Sequence, residues 1–353
     1  MRQLAVQDFR IIRGADLALH PGLNVFTGRN AQGKTSLLEA LGVVARGHSF
    51  RTDSPPALIR RGATNLRARA AAGDDGRFAD LEVAIATDHR QYHVDGRPVP
   101  PREYHGRLEV VVYSTDRLKV VRGTMRDRRQ FVDRGAAALW PAYRQLLRDL
   151  ERVLLQRNVA LREGRRDLDA WTERFVELGA RLRQRRARYV ERLRECLDSG
   201  FRPAGERYDM ALEPSAAPSE AEESGVLAAD LHRLQSRERF AGRTLAGPHR
   251  DAVRLLVDGR EASEEASAGQ ARSLLLALAL AALEVYREET GRSAVALLDD
   301  LDSELDPERA GAVLSQVVGR GQALVTSAHA PWAESLRPLG QVFNVSAGEV
   351  RCA

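Results

Sequence analysis

The sequence predicts an α/β protein with an antiparallel β subdomain and an inserted α-helical lobe, and three observations carry that prediction. An apolar run, Leu23-Asn24-Val25-Phe26, leads into a glycine-bracketed octapeptide, Gly28-Arg29-Asn30-Ala31-Gln32-Gly33-Lys34-Thr35, followed by strong helix formers. A second apolar run, Ala294-Val295-Ala296-Leu297-Leu298, ends in the acidic pair Asp299-Asp300. Between them, from about residue 126 to 197, apolar positions such as Leu146, Leu150, Val153, Leu154 and Leu161 recur at helical spacing among many arginines.

The elements follow in order. Residues 4–9 alternate as a strand, and Leu17-Ala18-Leu19 and residues 23–26 supply two more around Pro21-Gly22. Ser36-Leu37-Leu38-Glu39-Ala40-Leu41 begins the helix after the loop. Residues 63–113 read as β-rich, with turns at Gly73-Asp74-Asp75-Gly76 and Asp95-Gly96, the latter a hairpin signal between Tyr92-His93-Val94 and Val99. The proline- and serine-rich stretch 213–220 predicts a surface loop, 227–240 a short helix, 253–257 with Asp258-Gly259 a second hairpin, and 270–286 a buried helix.

The octapeptide matches G-x-x-x-x-G-K-[ST] throughout, which gives the spacing its chemistry. Gly28 and Gly33 let the backbone turn so that its amides, including those of Arg29, Asn30, Ala31 and Gln32, face a phosphate chain, and the positive end of the following helix, opening at Thr35 and Ser36, adds to that field. Lys34 is expected to bridge the β- and γ-phosphates of a nucleotide, and the Thr35 hydroxyl to ligate Mg²⁺. The acidic strand delivers Asp299 toward the same metal and Asp300 toward an attacking water. Asp299, Asp300 and Lys34 are therefore the expected catalytic residues. Ser267-Ala268-Gly269-Gln270 opens a long helix and is either an anion site or a plain helix cap.

Composition narrows the setting. Hydrophobic residues at 43% and charged residues at 29% of 353 describe a globular chain long enough for two domains, or for one domain with an inserted lobe. Two distant cysteines, Cys196 and Cys352, give no disulfide framework and suit a reducing cytosol. The polar N-terminal stretch and the short apolar run at 274–283 predict neither a secretion signal nor a membrane span. Net charge of +5 is compatible with a polyanionic partner. Lys34 and Lys119 are the only lysines in an otherwise arginine-using chain, so retention of one inside the glycine loop points to a role for a compact ammonium.

Taken together, the glycine loop, Ser267-Ala268-Gly269-Gln270, Asp299-Asp300 and Ser303-Glu304-Leu305-Asp306 resemble the ABC-type ATPase heads of the SMC and Rad50 class. Within that class the order and length resemble the RecF family of bacterial recombination mediators. Ser49-Phe50-Arg51-Thr52, Asp116-Arg117-Leu118-Lys119-Val120-Val121-Arg122-Gly123, Arg128-Arg129-Gln130-Phe131-Val132-Asp133 and Gly247-Pro248-His249-Arg250-Asp251 also look family-like, although Thr115 and Met125 stand where the family favours proline.

The resemblance implies a P-loop NTPase of ABC/SMC-head type, split over 1–125 and 226–353, with 126–225 as the inserted helical lobe. It implies ATP and Mg²⁺ as ligands and an ATP-dependent homodimer, in which Ser267, Gly269 and Gln270 of one chain meet the γ-phosphate held by the other and Asp306 lies near the seam. It further implies weak, DNA-stimulated ATPase activity, binding to DNA, and loading of the strand-exchange recombinase at gaps with RecO and RecR partners. A scaffold that holds ATP with incidental hydrolysis is the alternative. Arg144, Arg148, Arg152, Arg181, Arg183, Arg185, Arg186 and Arg188 either face DNA phosphates or form a solvated face. His329 is either a γ-phosphate sensor or a loop histidine, and His249 and Arg250 are left without a role.

Overall fold

The computed structural model describes residues 1–74, 77–202, 205–215, 223–305 and 307–353. The chain divides into two compact units, Met1–Leu118 with Ala282–Ala353, and Lys119–Ala281. The second unit thus extends past the expected lobe of 126–225 and takes in 119–125 and 226–281. Strand pairing gives the reason. Tyr208–Glu213, which the sequence reading missed, hydrogen-bonds antiparallel to Ala252–Val257 and binds the later residues to the helices before them.

In the first unit, strands β1 (Gln3–Phe9), β2 (Ile12–Ala18), β4 (Asn65–Asp74), β5 (Arg77–Ala86), β6 (Arg90–Val94) and β7 (Arg97–Pro98) form an antiparallel sheet in the order β2-β1-β4-β5-β6-β7. Its Asp95-Gly96 turn has both residues at positive φ, 51° and 74°, as the two-residue hairpin requires. The expected turn at 73–76 lies partly outside the described residues.

The other sheet runs β15-β14-β3-β13-β12-β8, from β3 (Leu23–Thr27), β8 (Val110–Tyr113), β12 (Val295–Leu298), β13 (Ala323–Ser327), β14 (Gly340–Ser346) and β15 (Glu349–Cys352). All its pairings are parallel except that of the edge strand β15. β3, β12 and β13 are buried at every residue, as strands covered on both faces should be.

The helix Lys34–Arg46 shares one apolar core with both sheets, Leu37, Leu41 and Val44 packing among Leu4, Leu66, Val83, Val110 and Leu324. Eleven of its 13 residues are buried, including Glu39. That carboxylate is satisfied by Arg10, through Nη2 at 2.7 Å and Nε at 3.0 Å, and by the Ser49 hydroxyl. Arg51, at 3.7 Å, adds a second guanidinium, so the Ser49-Phe50-Arg51-Thr52 run serves the helix.

The second unit holds helices Met125–Leu139, Pro141–Glu163, Leu168–Ser199 and Glu223–Ala241, and a small antiparallel sheet of β9 (Tyr208–Glu213), β10 (Ala252–Val257) and β11 (Arg260–Glu261). The expected loop at 213–220 lies largely outside the described residues. Among the described residues one helix, Ala268–Thr290, is long and apolar enough to cross a membrane, and 56% of its apolar window is buried inside the protein.

Buried ion pairs tie this unit together. Arg183 reaches both carboxylate oxygens of fully buried Asp251, at 2.7 and 2.9 Å, and Arg186 grips Asp133 through two bonds of 2.8 Å and the Pro248 carbonyl at 2.6 Å. Arg157 pairs with Glu238 at 2.6 Å, and Arg128 with Glu261 at 2.6 Å. The Asp251 carboxylate also accepts the Ser215 amide at 2.9 Å, and its carbonyl accepts Arg129 at 2.7 Å. Removing one partner of a buried, multiply bonded pair strands the other charge, a loss of about 3–5 kcal/mol. Asp251→Ala is expected to destabilise this unit by about 3 kcal/mol or more, read as a lowered urea midpoint in circular dichroism, whereas Glu213→Ala, which removes an exposed ion pair, should leave the midpoint nearly unchanged.

Candidate nucleotide site

The loop between β3 and the helix Lys34–Arg46 owes its shape to steric limits as much as to flexibility. Gly28 has φ 154°, and a Cβ there would stand 2.2 Å from the carbonyl oxygen of Val345. Gly33 caps the helix in the left-handed region at φ 111°, and Ala31 is left-handed too, at φ 64°. The C-terminal hairpin supports the loop from outside: the Ala347 amide donates to Gln32 Oε1 at 2.6 Å and the Gly348 amide to the Gln32 carbonyl at 3.0 Å. The Gln32 side chain is thus a brace for the loop, while Arg29, Asn30 and Ala31 are exposed at its crest and Ser36 is buried behind it.

Lys34 is buried, and its ammonium donates to the carbonyls of Gly28 at 2.7 Å and Arg29 at 3.1 Å. The side chain is folded back over the loop, across its concavity. Thr35 Oγ1 donates to Asp299 Oδ1 at 2.9 Å, joining residues 264 positions apart in sequence.

Asp299 follows β12 and is buried with its oxygens shared among hydroxyls: Thr326 Oγ1 donates to it at 2.8 Å, and Ser114 Oγ stands 3.4 Å from its other oxygen. Burial, augmented by the charge of Asp300 and opposed by the Thr326 and Thr35 hydroxyls, raises its pKa above the usual carboxylate range. Asp300 takes a left-handed backbone, φ 50° and ψ 44°, held by its amide donating to Thr326 Oγ1 at 2.7 Å. A threonine hydroxyl and a carboxylate in hydrogen-bond contact, the latter carrying buried charge, are hard oxygen donors that suit Mg²⁺. Among the described residues no cluster of three or more His, Cys, Asp or Glu could hold a metal alone.

In the second unit, Ser267 and Gln270 cap the helix Ala268–Thr290 reciprocally: the Gln270 amide donates to Ser267 Oγ at 3.1 Å, and Ser267 N donates to Gln270 Oε1 at 2.9 Å. The S-x-x-Q spacing carried that capping box in the sequence. Ser267 and Gly269 are exposed, and Arg122 clamps the preceding turn through the Ala266 carbonyl at 2.6 Å. His329 is exposed at the start of the helix Ala330–Ser335, its amide donating to Ser327 Oγ at 2.9 Å. Asp306 lies outside the described residues, as do the side chains of Ser303 and Glu304.

The pattern that defines the RecF/RecN/SMC N-terminal domain family matches residues 1–351. The DNA replication and repair protein RecF of Frankia alni is 36% identical, over 99% of this chain and 98% of its own length. The protein of the same name from Symbiobacterium thermophilum is 37% identical over 90% of this chain and 88% of its own. The chain belongs to the RecF family. A solved structure described as the recombination mediator protein RecF-ATP in the RecFOR pathway superposes with a TM-score of 0.90 at 26% identity, covering 100% of this chain and 98% of that one. The ABC/SMC-head fold expected from the motifs is accordingly the fold of this RecF-family chain.

Two of the lobe arginines, Arg183 and Arg186, are neither on a solvated face nor open to DNA phosphates. Arg183 and Arg186 are spent on the buried carboxylates of Asp251 and Asp133, because they fall on the apolar stripe of the helix Leu168–Ser199 with Leu182, Tyr189 and Leu193. Arg185 and Arg188 lie over the Trp140 ring, 5.1 and 5.5 Å from its centroid. Arg148, Arg152 and Arg181 are exposed beside Gln145, Asp149 and Glu177, and Arg144 is half-buried. The Gly247-Pro248-His249-Arg250-Asp251 run gains a structural role. Gly247 is held at φ 131° against the Phe175 ring, and burial lowers the His249 pKa to about 4, keeping the imidazole neutral.

The sequence reading missed Thr326, which bridges both acids, and Asp302, which accepts the Ser327 hydroxyl at 2.6 Å. Val325-Thr326-Ser327 ends an apolar strand just as 294–300 does, a signal that could have placed a hydroxyl beside the acids. Because the folded pKa of Asp299 is raised, its ionised form costs the fold stability at neutral pH, and that cost fades as pH falls through the folded pKa. Asp299→Asn is expected to raise the urea midpoint of the nucleotide-free protein at pH 7, by an amount that shrinks on acidification; an unchanged or lowered midpoint at pH 7 contradicts this.

Proposed function

We propose that this chain binds ATP with Mg²⁺ at the 28–36 loop and hydrolyses it slowly, and that ATP closes two copies into a dimer that binds DNA in recombinational repair and replication restart. One observation carries the reading: the 2.9 Å bond from Thr35 to Asp299, which puts the end of the phosphate-binding loop against the acidic strand directly beside Asp300. The relatives' names, DNA replication and repair protein RecF, and the ATP-bound solved relative support the same assignment.

In this reading Lys34 exchanges its two loop carbonyls for the β- and γ-phosphate oxygens, compensating charge that the loop amides and the helix N-terminus only partly offset. Mg²⁺, held by Thr35 and Asp299, would neutralise charge on the phosphates. Asp300 accepts a proton from the water that attacks the γ-phosphorus, as the bond to the β-phosphate oxygen breaks and ADP departs. Each chain has one loop and one Ser267-Ala268-Gly269-Gln270 run. Ser267 and Gly269 are exposed, so in a two-fold dimer each copy offers Ser267, Gly269 and Gln270 to the other's γ-phosphate, and Asp306 belongs to the seam. RecO- and RecR-type mediators are the partners, and recombinase loading at gaps is the outcome.

Lys34→Met should abolish ATP binding in equilibrium dialysis and hold the protein monomeric in light scattering. Asp300→Asn should still bind ATP, accumulate as a dimer, and release phosphate about 10²–10⁴-fold more slowly. A parent protein that stays monomeric with ATP and Mg²⁺ would exclude the dimer. Unchanged phosphate release in Asp300→Asn would favour a scaffold that holds ATP with incidental hydrolysis.

A further inference from the structure

Phe240 is the most exposed large apolar side chain among the described residues, with 95% of its surface open. It occupies the last turn of the helix Glu223–Ala241, whose other face is anchored through Leu227, Leu231 and Glu238. Phe240 therefore contributes almost nothing to packing. Exposed arginines flank it in the chain: Arg237, three residues earlier on the same side of the helix, and then Arg239 and Arg243.

A second element brings more. A Cβ on Gly242 would lie 2.8 Å from Cγ of Arg162, and Thr244 bonds Asn158 through both its amide and its hydroxyl at 2.8 Å. These contacts seat the end of the helix Pro141–Glu163 beside the residues that follow Phe240, with Arg162 in its last turn and Arg166 just past it, both exposed.

The side chains of Arg162, Arg166, Arg237, Arg239 and Arg243 make no hydrogen bond or ion pair among the described residues. The nearby acids are already engaged: Glu238 by Arg157, Asp230 by Arg233, and Asp167 and Glu163 by Arg165. Five guanidiniums without an ion pair thus lie on the two segments that meet at Gly242, close in the chain to one open aromatic side chain. Favourable placement of cations near a helix C-terminus accounts for one or two of them, but not for the phenylalanine.

We propose that this end of the second unit is a contact for single-stranded nucleic acid, Phe240 stacking on an unpaired base while the arginines take flanking phosphates. Each component matches one part of a nucleotide: a π-face for a base, and a fixed positive charge for a phosphate. A duplex satisfies only the arginines, because its bases are already stacked and paired. The proposal rests on the DNA-binding reading above and adds the strand form and the residues.

The test is fluorescence anisotropy of the full chain with labelled oligothymidylate and with a blunt duplex, across a salt series. Phe240→Ala should weaken single-strand binding about tenfold and leave duplex binding and the melting temperature unchanged, while Phe240→Trp should bind as the parent does. The Arg237→Gln, Arg239→Gln, Arg243→Gln triple variant should flatten the salt dependence on the single strand by about 0.7 per arginine removed. Single-strand binding by Phe240→Ala equal to the parent's, or an equal loss on duplex, overturns the stacking contact. So does a Phe240→Ala protein whose only change is in self-association, which would mark the aromatic as a protein contact. If the parent binds duplex but no single strand, this inference falls alone; if it binds neither, the DNA-binding reading falls with it.

Discussion

The enclosure of the helix Lys34–Arg46 between two sheets is the constraint on which the first unit depends. A helix buried on nearly every side cannot carry an unpaired charge, so Glu39 must be met by Arg10 from one segment and by Ser49 and Arg51 from another. It also leaves little room: a Cβ on Gly42 would stand 3.1 Å from the Phe50 ring. Once the helix is fixed, the loop that enters it must pass the Val345 backbone at Gly28, and its lysine starts from the buried first turn. The apolar core and the polar site are thus two ends of a single element.

The strand, loop and helix of this site were legible because glycine spacing and an abrupt change from β-type to helical composition are local signals. The acidic strand was legible for the same reason. Thr326 was not, because it reaches the acids only through the parallel pairing of β12 with β13, a register that no neighbouring residues encode. The strand Tyr208–Glu213 escaped for a similar reason, since its partner lies about 40 residues on and beyond a helix. The reciprocal cap of Ser267 and Gln270 was fully written in its spacing.

Arginine misled most. A residue type read as solvent-facing turned out to split into two populations within one helix: Arg183 and Arg186 on the buried stripe, Arg181 and Arg185 on the open side. The distinction lies in which positions share a face with Leu182, Tyr189 and Leu193, and in whether Asp251 and Asp133 arrive from elsewhere to receive them. Guanidinium serves here where lysine would not, since its planar fork meets both oxygens of a carboxylate and its weaker hydration lowers the cost of burial.

The left-handed backbone at Asp300 bears on why a short acid stands there. Aspartate and asparagine tolerate that region better than longer or branched residues, because their compact polar groups can bond locally. A glutamate would extend the carboxylate by one methylene while sitting on a backbone it disfavours, so reach and local conformation oppose each other at this position. The chain resolves the conflict in favour of conformation, and the distance the carboxylate gives up must be made good by whatever lies across from it.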